Sequence, residues 1–297
     1  MPLCTKAFLI LSLCVLSLNI SLTAQSTAKC GFQTLNIAGP AGSTTLPLEL
    51  SDTGAIVGFL RQGTGANIHT TGFLFNAGKF THFRFPGSTD TFPVDINKSG
   101  EIVGTFTRPD GTTGSFMVKS GVFKELKLAD FPNAAIAVTG VNDFGDIVGS
   151  FNRKGTTVGF LVHKGKLTII SFPGAVDGTF PRSVNNEDEI TGSYIVPNSS
   201  GTPHGFMWKD GNFTNISFPD SFSTTTAKIN DKGVIVGTYF DTDQAEHGFA
   251  FINGTYTTID RNGPDTILFG LNNFNNIVGL TENGGDVWFK GFCGSQL

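Results

Sequence analysis

Short apolar segments separated by turn-forming residues run the length of this chain, the pattern of a meandering antiparallel sheet. One phrase returns six times: Ile56-Val57-Gly58, Ile102-Val103-Gly104, Ile147-Val148-Gly149, Ile190-Thr191-Gly192, Ile235-Val236-Gly237 and Ile277-Val278-Gly279. The closing glycines lie 46, 45, 43, 45 and 42 residues apart, a period suited to a four-stranded unit and far longer than a β-helix coil. In the third unit the pattern predicts strand a over 137–142, strand b over 146–151, strand c over 158–163 and strand d over 167–172. Proline then stops strand d, in Phe85-Pro86-Gly87, Phe131-Pro132, Phe172-Pro173-Gly174 and Phe218-Pro219, as is tolerable on an outer edge.

The turn between strands a and b declares its backbone through its residue types. Gly54, Gly100, Gly145, Asp188, Gly233 and Asn275 occupy one repeat position, and what these types share is tolerance of positive φ. The preceding Asn97, Asn142, Asn185, Asn230 and Asn272 suit a side chain that bonds its own backbone two residues on. Phe73, Phe116, Phe160, Phe206 and Phe249 each follow a glycine at the start of strand c, so they read as core rings rather than ligand platforms.

The sixth unit ends after a third strand, while residues 32–37 followed by Gly39-Pro40 match a fourth strand and its stop. The expected fold is therefore all-β: a six-bladed β-propeller of four-stranded antiparallel blades, closed by an N-terminal strand.

Composition adds the setting. With 297 residues, 39% hydrophobic and 15% charged, the chain can bury a core, and a net charge of −4 argues against a nucleic-acid surface. Lys6, an apolar run from Ala7 to Leu18 and a small residue at Ala24 or Ala28 read as a secretory leader over 1–24, cleaved as late as 28, with a single domain over 29–297. The run is too broken to span a membrane, so a secreted or periplasmic monomer is expected. Of four cysteines, Cys30 and Cys293 survive cleavage at the two ends of the mature chain. A disulfide between them would be worth at most roughly 5 kcal/mol; two unpaired thiols are the alternative.

The set Ile-Asn-x-x-Gly-x-Ile-Val-Gly, His204-Gly205-Phe206, His247-Gly248-Phe249 and Phe-Pro-Gly resembles the bacterial extracellular HAF repeat, named for a His-Ala-Phe triplet. Here glycine takes the middle position, and Thr71, Thr113 and Val158 replace the histidine in the first three units. The resemblance implies a secreted β-rich repeat protein and carries no catalytic residues with it.

Candidate chemistry lies on the face where the b–c and d–a loops emerge, because the b–c loops differ from unit to unit while the a–b turns are near copies. Asp90, Asp177, Asp220 and Asp265, interleaved with Thr91, Thr179, Thr224 and Thr266, suit sugar hydroxyls, a calcium ion or plain turn initiation. Glu49, Asp95, Arg182 and Lys228, placed in otherwise apolar strands, predict an ion cluster bridging blades. No HExxH, GxSxG or clustered metal spacing occurs. The leading expectation is a non-catalytic recognition or scaffold module for a glycan or surface protein. A hydrolase or lyase using Glu49, Asp95 and Arg182 is the alternative, and a structural envelope component is a third.

Overall fold

The computed structural model describes residues 26–27, 31–35, 37, 39–63, 68–197, 201–281 and 287–292. The leader, Cys30 and Cys293 lie outside the described residues. All regular structure among the described residues is β, in six sheets. Five are each one uninterrupted run of chain: blade 1 Ser43–Phe83, blade 2 Asp90–Leu126, blade 3 Ile136–Ile170, blade 4 Gly178–Ile216 and blade 5 Ser223–Ile259. The sixth sheet takes its first three strands from Thr266–Leu271, Asn276–Thr281 and Val287–Phe292 and its outer strand from Gly31–Thr34, which pairs antiparallel with Val287–Phe292. Ser26–Thr27 adds a short parallel strand to the outer edge of blade 5.

Strand a of every blade touches strand a of the next, including Thr266–Leu271 against Ser43–Leu50, so the ring is closed. Closure leaves no sheet face open: Phe73, Phe116, Phe160, Phe206 and Phe249 are all 0% exposed, each worth roughly 1.5–3 kcal/mol of burial. The phenylalanines before the proline stops reach across to the following blade. Phe85 stacks on Phe106, Phe172 on Tyr194 and Phe218 on Tyr239, with ring centroids 3.8, 3.5 and 3.7 Å apart.

The repeated glycine of strand b lies inside its strand, third residue of Ile147–Arg153 for example. Its reason is steric. A Cβ at Gly58, Gly104, Gly149, Gly192 or Gly237 would stand 2.0–2.3 Å from a carbonyl oxygen of strand a. That carbonyl is pushed inward because strand a carries a β-bulge in all six blades, at Leu48, Val94, Thr139, Arg182, Ala227 and Phe269. Two of the glycines before the strand-c phenylalanines make room for the neighbouring blade: a Cβ at Gly72 or Gly159 would meet Pro93 or Pro181 at 2.6 and 2.5 Å.

The a–b turn has the predicted backbone. Residues 54, 100, 145, 188, 233 and 275 have φ of 80, 78, 81, 57, 74 and 59°. Each turn asparagine accepts from the amide two residues on, as in Asn142 Oδ1 from Phe144 N at 3.0 Å.

Candidate functional site

The six strands a line a central channel whose two ends differ in chemistry. At the a–b turn end, Asn97, Asn142, Asn185 and Asn230 each donate Nδ2 to the carbonyl of the matching asparagine one blade on, at 2.9–3.2 Å. Asn272 continues the series onto the Ser51 carbonyl at 3.2 Å. The next residues form a second ring, Asp52, Lys98, Asp143, Asn186, Asp231 and Asn273, alternating acceptor and donor. Backbone amides of Lys98, Asp143, Asn186, Asp231 and Asn273 each donate to the side-chain oxygen one blade on at 2.8–2.9 Å. Asn186 bridges Asp143 and Asp231, Asn273 bridges Asp231 and Asp52, and Lys98 Nζ lies 3.1 Å from Asp143. Burial works against the Asp143 carboxylate, yet hydrogen bonds from Asn186 and Lys98 outweigh it and lower its pKa. Beneath this rosette, Leu50, Ile96, Val141, Val184, Ile229 and Leu271 form an apolar collar around a cavity of about 60 Å³.

One residue further along strand a, the channel changes character. Glu49 and Asp95 are 2% and 1% exposed, and Lys228 lies between them, its Nζ 3.3 Å from Glu49 Oε2 and 2.5 Å from Asp95 Oδ1. Asp95 also accepts from the amides of Ile96 at 2.8 Å and Val141 at 2.9 Å, and Glu49 Oε1 from Leu50 N at 2.9 Å. Burial raises the pKa of Glu49 to about 8, against the opposing pull of Lys228. Burial also works against the Lys228 ammonium, but the two carboxylates outweigh it and hold the pKa above its ordinary value. Glycine at 270 makes room, since a Cβ there would stand 2.7 Å from Glu49 Oε1.

The expected four-residue ion cluster is thus a trio. Arg182 stands one position out of register: Ser183 is the blade 4 counterpart of Glu49, Asp95 and Lys228, and Arg182 is the bulged residue. All six bulged residues line a cavity of about 310 Å³, which continues past the trio to Glu246 and Ile267 at the loop end. Arg182 is accessible to solvent within this lumen and takes part in no ion pair or hydrogen bond among the described residues. Surrounding protein depresses its guanidinium pKa by desolvation alone. The hydroxyls nearby are committed as donors, Thr139 to Pro181 O at 2.7 Å and Thr226 to Gly192 O at 2.7 Å.

At the mouth, the aspartates and threonines separate by role. Thr91, Thr179, Thr224 and Thr266 are buried, and each Oγ1 accepts a d–a loop amide, from Phe85, Phe172, Phe218 and Arg261 respectively, at 2.9–3.1 Å. Asp90 accepts from Thr70 N at 2.7 Å, and Asp220 and Asp265 adopt positive φ in their turns. Asp177 is exposed. Among the described residues, these four aspartates do not gather into one group of ligand atoms. Val176 and Phe222, 48% and 62% exposed, project from the d–a loops that lead into blades 4 and 5. On the same face, His247 stacks on Tyr239 and bonds Asp260 through Nδ1 at 2.7 Å and Asp241 through Nε2 at 3.3 Å. Burial opposes its imidazolium, but these carboxylates raise its pKa overall.

The second ring of the rosette and the bulged residues other than Arg182 were not singled out by reading the sequence. Aligning the repeats supplies the signal for the first, because residues 52, 98, 143, 186, 231 and 273 read Asp, Lys, Asp, Asn, Asp, Asn. The bulge carries a weaker signal: proline precedes it in blades 1, 2 and 4, at Pro47, Pro93 and Pro181.

No family model matches the chain, and no curated protein matches it. Solved structures match the fold alone. The β-propeller domain of the Trilobed protease from Pyrococcus furiosus is 10% identical with a TM-score of 0.53, covering 86% of this chain and 94% of that one. TolB from Acinetobacter baumannii is 10% identical with a TM-score of 0.52 over 84% of this chain, which spans about half (54%) of TolB. A triple arginine-to-alanine mutant of AofleA from Arthrobotrys oligospora is 12% identical with a TM-score of 0.50, covering 90% and 87%.

Proposed function

We propose that the protein is a non-catalytic recognition module whose loop-side channel mouth binds a carboxylate-bearing ligand, an acidic sugar of a glycan being the class that fits best. The observation that carries this reading is Arg182, a guanidinium in an accessible lumen with no partner among the described residues, while the neighbouring charges of Glu49, Asp95 and Lys228 are spent on one another. Guanidinium matches carboxylate in a bidentate fork, and the exposed Phe222 and Val176 offer apolar surface for a sugar ring at the mouth. In this reading the leader over 1–24 delivers the protein outside the cytoplasm as a monomer of the HAF-repeat kind. Calcium is not required by it.

Titration calorimetry with oligogalacturonate and a neutral oligosaccharide of equal length tests the proposal. Saturable binding of the acidic chain alone is expected, weakened by about tenfold or more in Arg182→Ala, the loss of one charge-assisted hydrogen-bonded contact. Equal binding of both sugars, or an unchanged Kd in Arg182→Ala, would overturn it.

One observation favours a second reading, a hydrolase or lyase: burial raises the pKa of Glu49 to about 8, toward the range a general acid needs. Turnover of the acidic chain that disappears in Glu49→Gln while binding persists would establish the enzyme and displace the binding module.

A further inference from the structure

Blades 2, 3 and 4 build the same corner of the repeat in two ways. In blade 2, Glu101 Oε1 pairs with Lys119 Nζ at 3.2 Å, beside Gly145 of the next blade's turn, where a Cβ would stand 3.9 Å from Glu101 Oε2. In blade 4, Glu189 Oε1 pairs with Lys209 Nζ at 3.0 Å, and a Cβ at Gly233 would stand 3.8 Å from Glu189 Oε2. Blade 3 changes all three residues. Asp146 replaces the glutamate, His163 replaces the lysine, and Asp188 of blade 4 takes the glycine position at φ 57°, a conformation that favours glycine.

Each change moves the corner toward metal ligation. In blades 2 and 4 one carboxylate is balanced by one ammonium. In blade 3 two carboxylates face one imidazole and no ammonium, so a divalent cation would restore the balance. The three ligand atoms lie within 4.8 Å of one another. His163 Nδ1 is 3.1 Å from Asp146 Oδ2 and 3.3 Å from Asp188 Oδ1. Tetrahedral zinc at its usual ~2.0–2.1 Å bond lengths has ligand–ligand edges of about 3.3 Å.

A single ring nitrogen cannot serve both carboxylates: the contact of Nδ1 aligned for a hydrogen bond is the one to Asp146 Oδ2, and Asp188 Oδ1 is shielded from solvent with no hydrogen-bond donor aligned on it. Contrast His247, whose two nitrogens each meet one carboxylate on opposite sides, an arrangement satisfied by two protons. Asp146 is also oriented from behind, Oδ2 by Asn142 Nδ2 at 3.0 Å and Oδ1 by Lys164 N at 3.2 Å, the outer-shell support that metal ligands need. The Asp146 side chain is 3% exposed while those of His163 and Asp188 are 33% and 39%, so one side opens to water for a fourth ligand.

We propose that Asp146, His163 and Asp188 form a binding site for a divalent transition metal of the zinc type, bridging blades 3 and 4. One nitrogen and two oxygens suit such an ion, whereas calcium takes six to eight oxygens. The test is Zn²⁺ titration of the chelator-treated full chain against a chromophoric competitor, with His163 followed by imidazole ¹⁵N resonances. One equivalent is expected, with a shift at His163 Nδ1 and no competition by Ca²⁺. The combined variant Asp146→Glu, His163→Lys, Asp188→Gly installs the pattern that blades 2 and 4 already fold with, and is expected to keep the unfolding midpoint while losing affinity by at least about tenfold. Asp188→Gly alone removes one ligand at a position where glycine is the relaxed choice, and is expected to lose affinity as well. The absence of saturable Zn²⁺ binding, equal affinity in both variants, or a preference for Ca²⁺ would overturn the assignment.

Discussion

The two ends of the channel are built from the same six strands and obey different rules. At the turn end, side chains satisfy backbone groups of an adjacent blade at every seam except that between blades 1 and 2, so residue type is dictated: five asparagines and a serine in one ring, alternating donors and acceptors in the other. Three or four residues away along strand a, the bulge lifts a side chain out of the ladder into open lumen, and the six positions hold Leu48, Val94, Thr139, Arg182, Ala227 and Phe269. Where the backbone leaves an unsatisfied group, the repeat fixes the residue; where it leaves only space, blades diverge. Function is best sought at the second kind of position.

The comparison breaks most severely at the layer between the two ends. Lys228→Met strands Glu49 and Asp95 as buried acids and is expected to cost about 3–5 kcal/mol in urea unfolding, as removal of one member of a buried ion group does. A cost under about 1 kcal/mol would mean the trio is solvated through the lumen. Gly104→Ala drives a Cβ to 2.1 Å from the Phe92 carbonyl, and flattening of the bulge is expected to cost about 1–3 kcal/mol while displacing Val94 from the channel wall. An unaltered midpoint would show that the glycine does not hold the bulge.

At the turn end, the seam between blades 1 and 2 sharpens the contrast, because Ser51 has no amide to reach Asn97 and Lys98 has no acceptor for Asp52 N. Ser51→Asn is expected to stabilise by about 0.5–1.5 kcal/mol through the supplied hydrogen bond, read as a raised unfolding midpoint. A pH effect tests the trio in a different way. The folded pKa of Glu49, about 8, lies above its ordinary 4.5, so the native state binds the extra proton between these values. This contribution to stability is complete below about 4.5 and is lost as pH rises through about 8, and Glu49→Gln is expected to flatten that slope. Arg182→Ala, in open lumen, is expected to change stability by no more than about 0.5 kcal/mol, leaving binding as its only readout.

Much of the fold was legible in sequence because it is local chemistry repeated. The αL turn position follows from what Gly54, Asp188 and Asn275 have in common, and the strand-c phenylalanines from a period that only a shared core explains. Such features need nothing beyond neighbours a few residues away, and six copies separate them from noise. Tertiary structure alone decided which charges meet. Lys228 reaches Asp95 across 133 residues of chain, and Arg182 misses the trio because one bulged residue shifts its direction. Asp188 meets Asp146 and His163 only because blade 4 leans its turn against blade 3. A bulge reverses the face a side chain points to without altering composition or period, and an inter-blade contact leaves no trace in spacing along the chain. The sequence therefore determined the ring, and the packing of its blades determined the site.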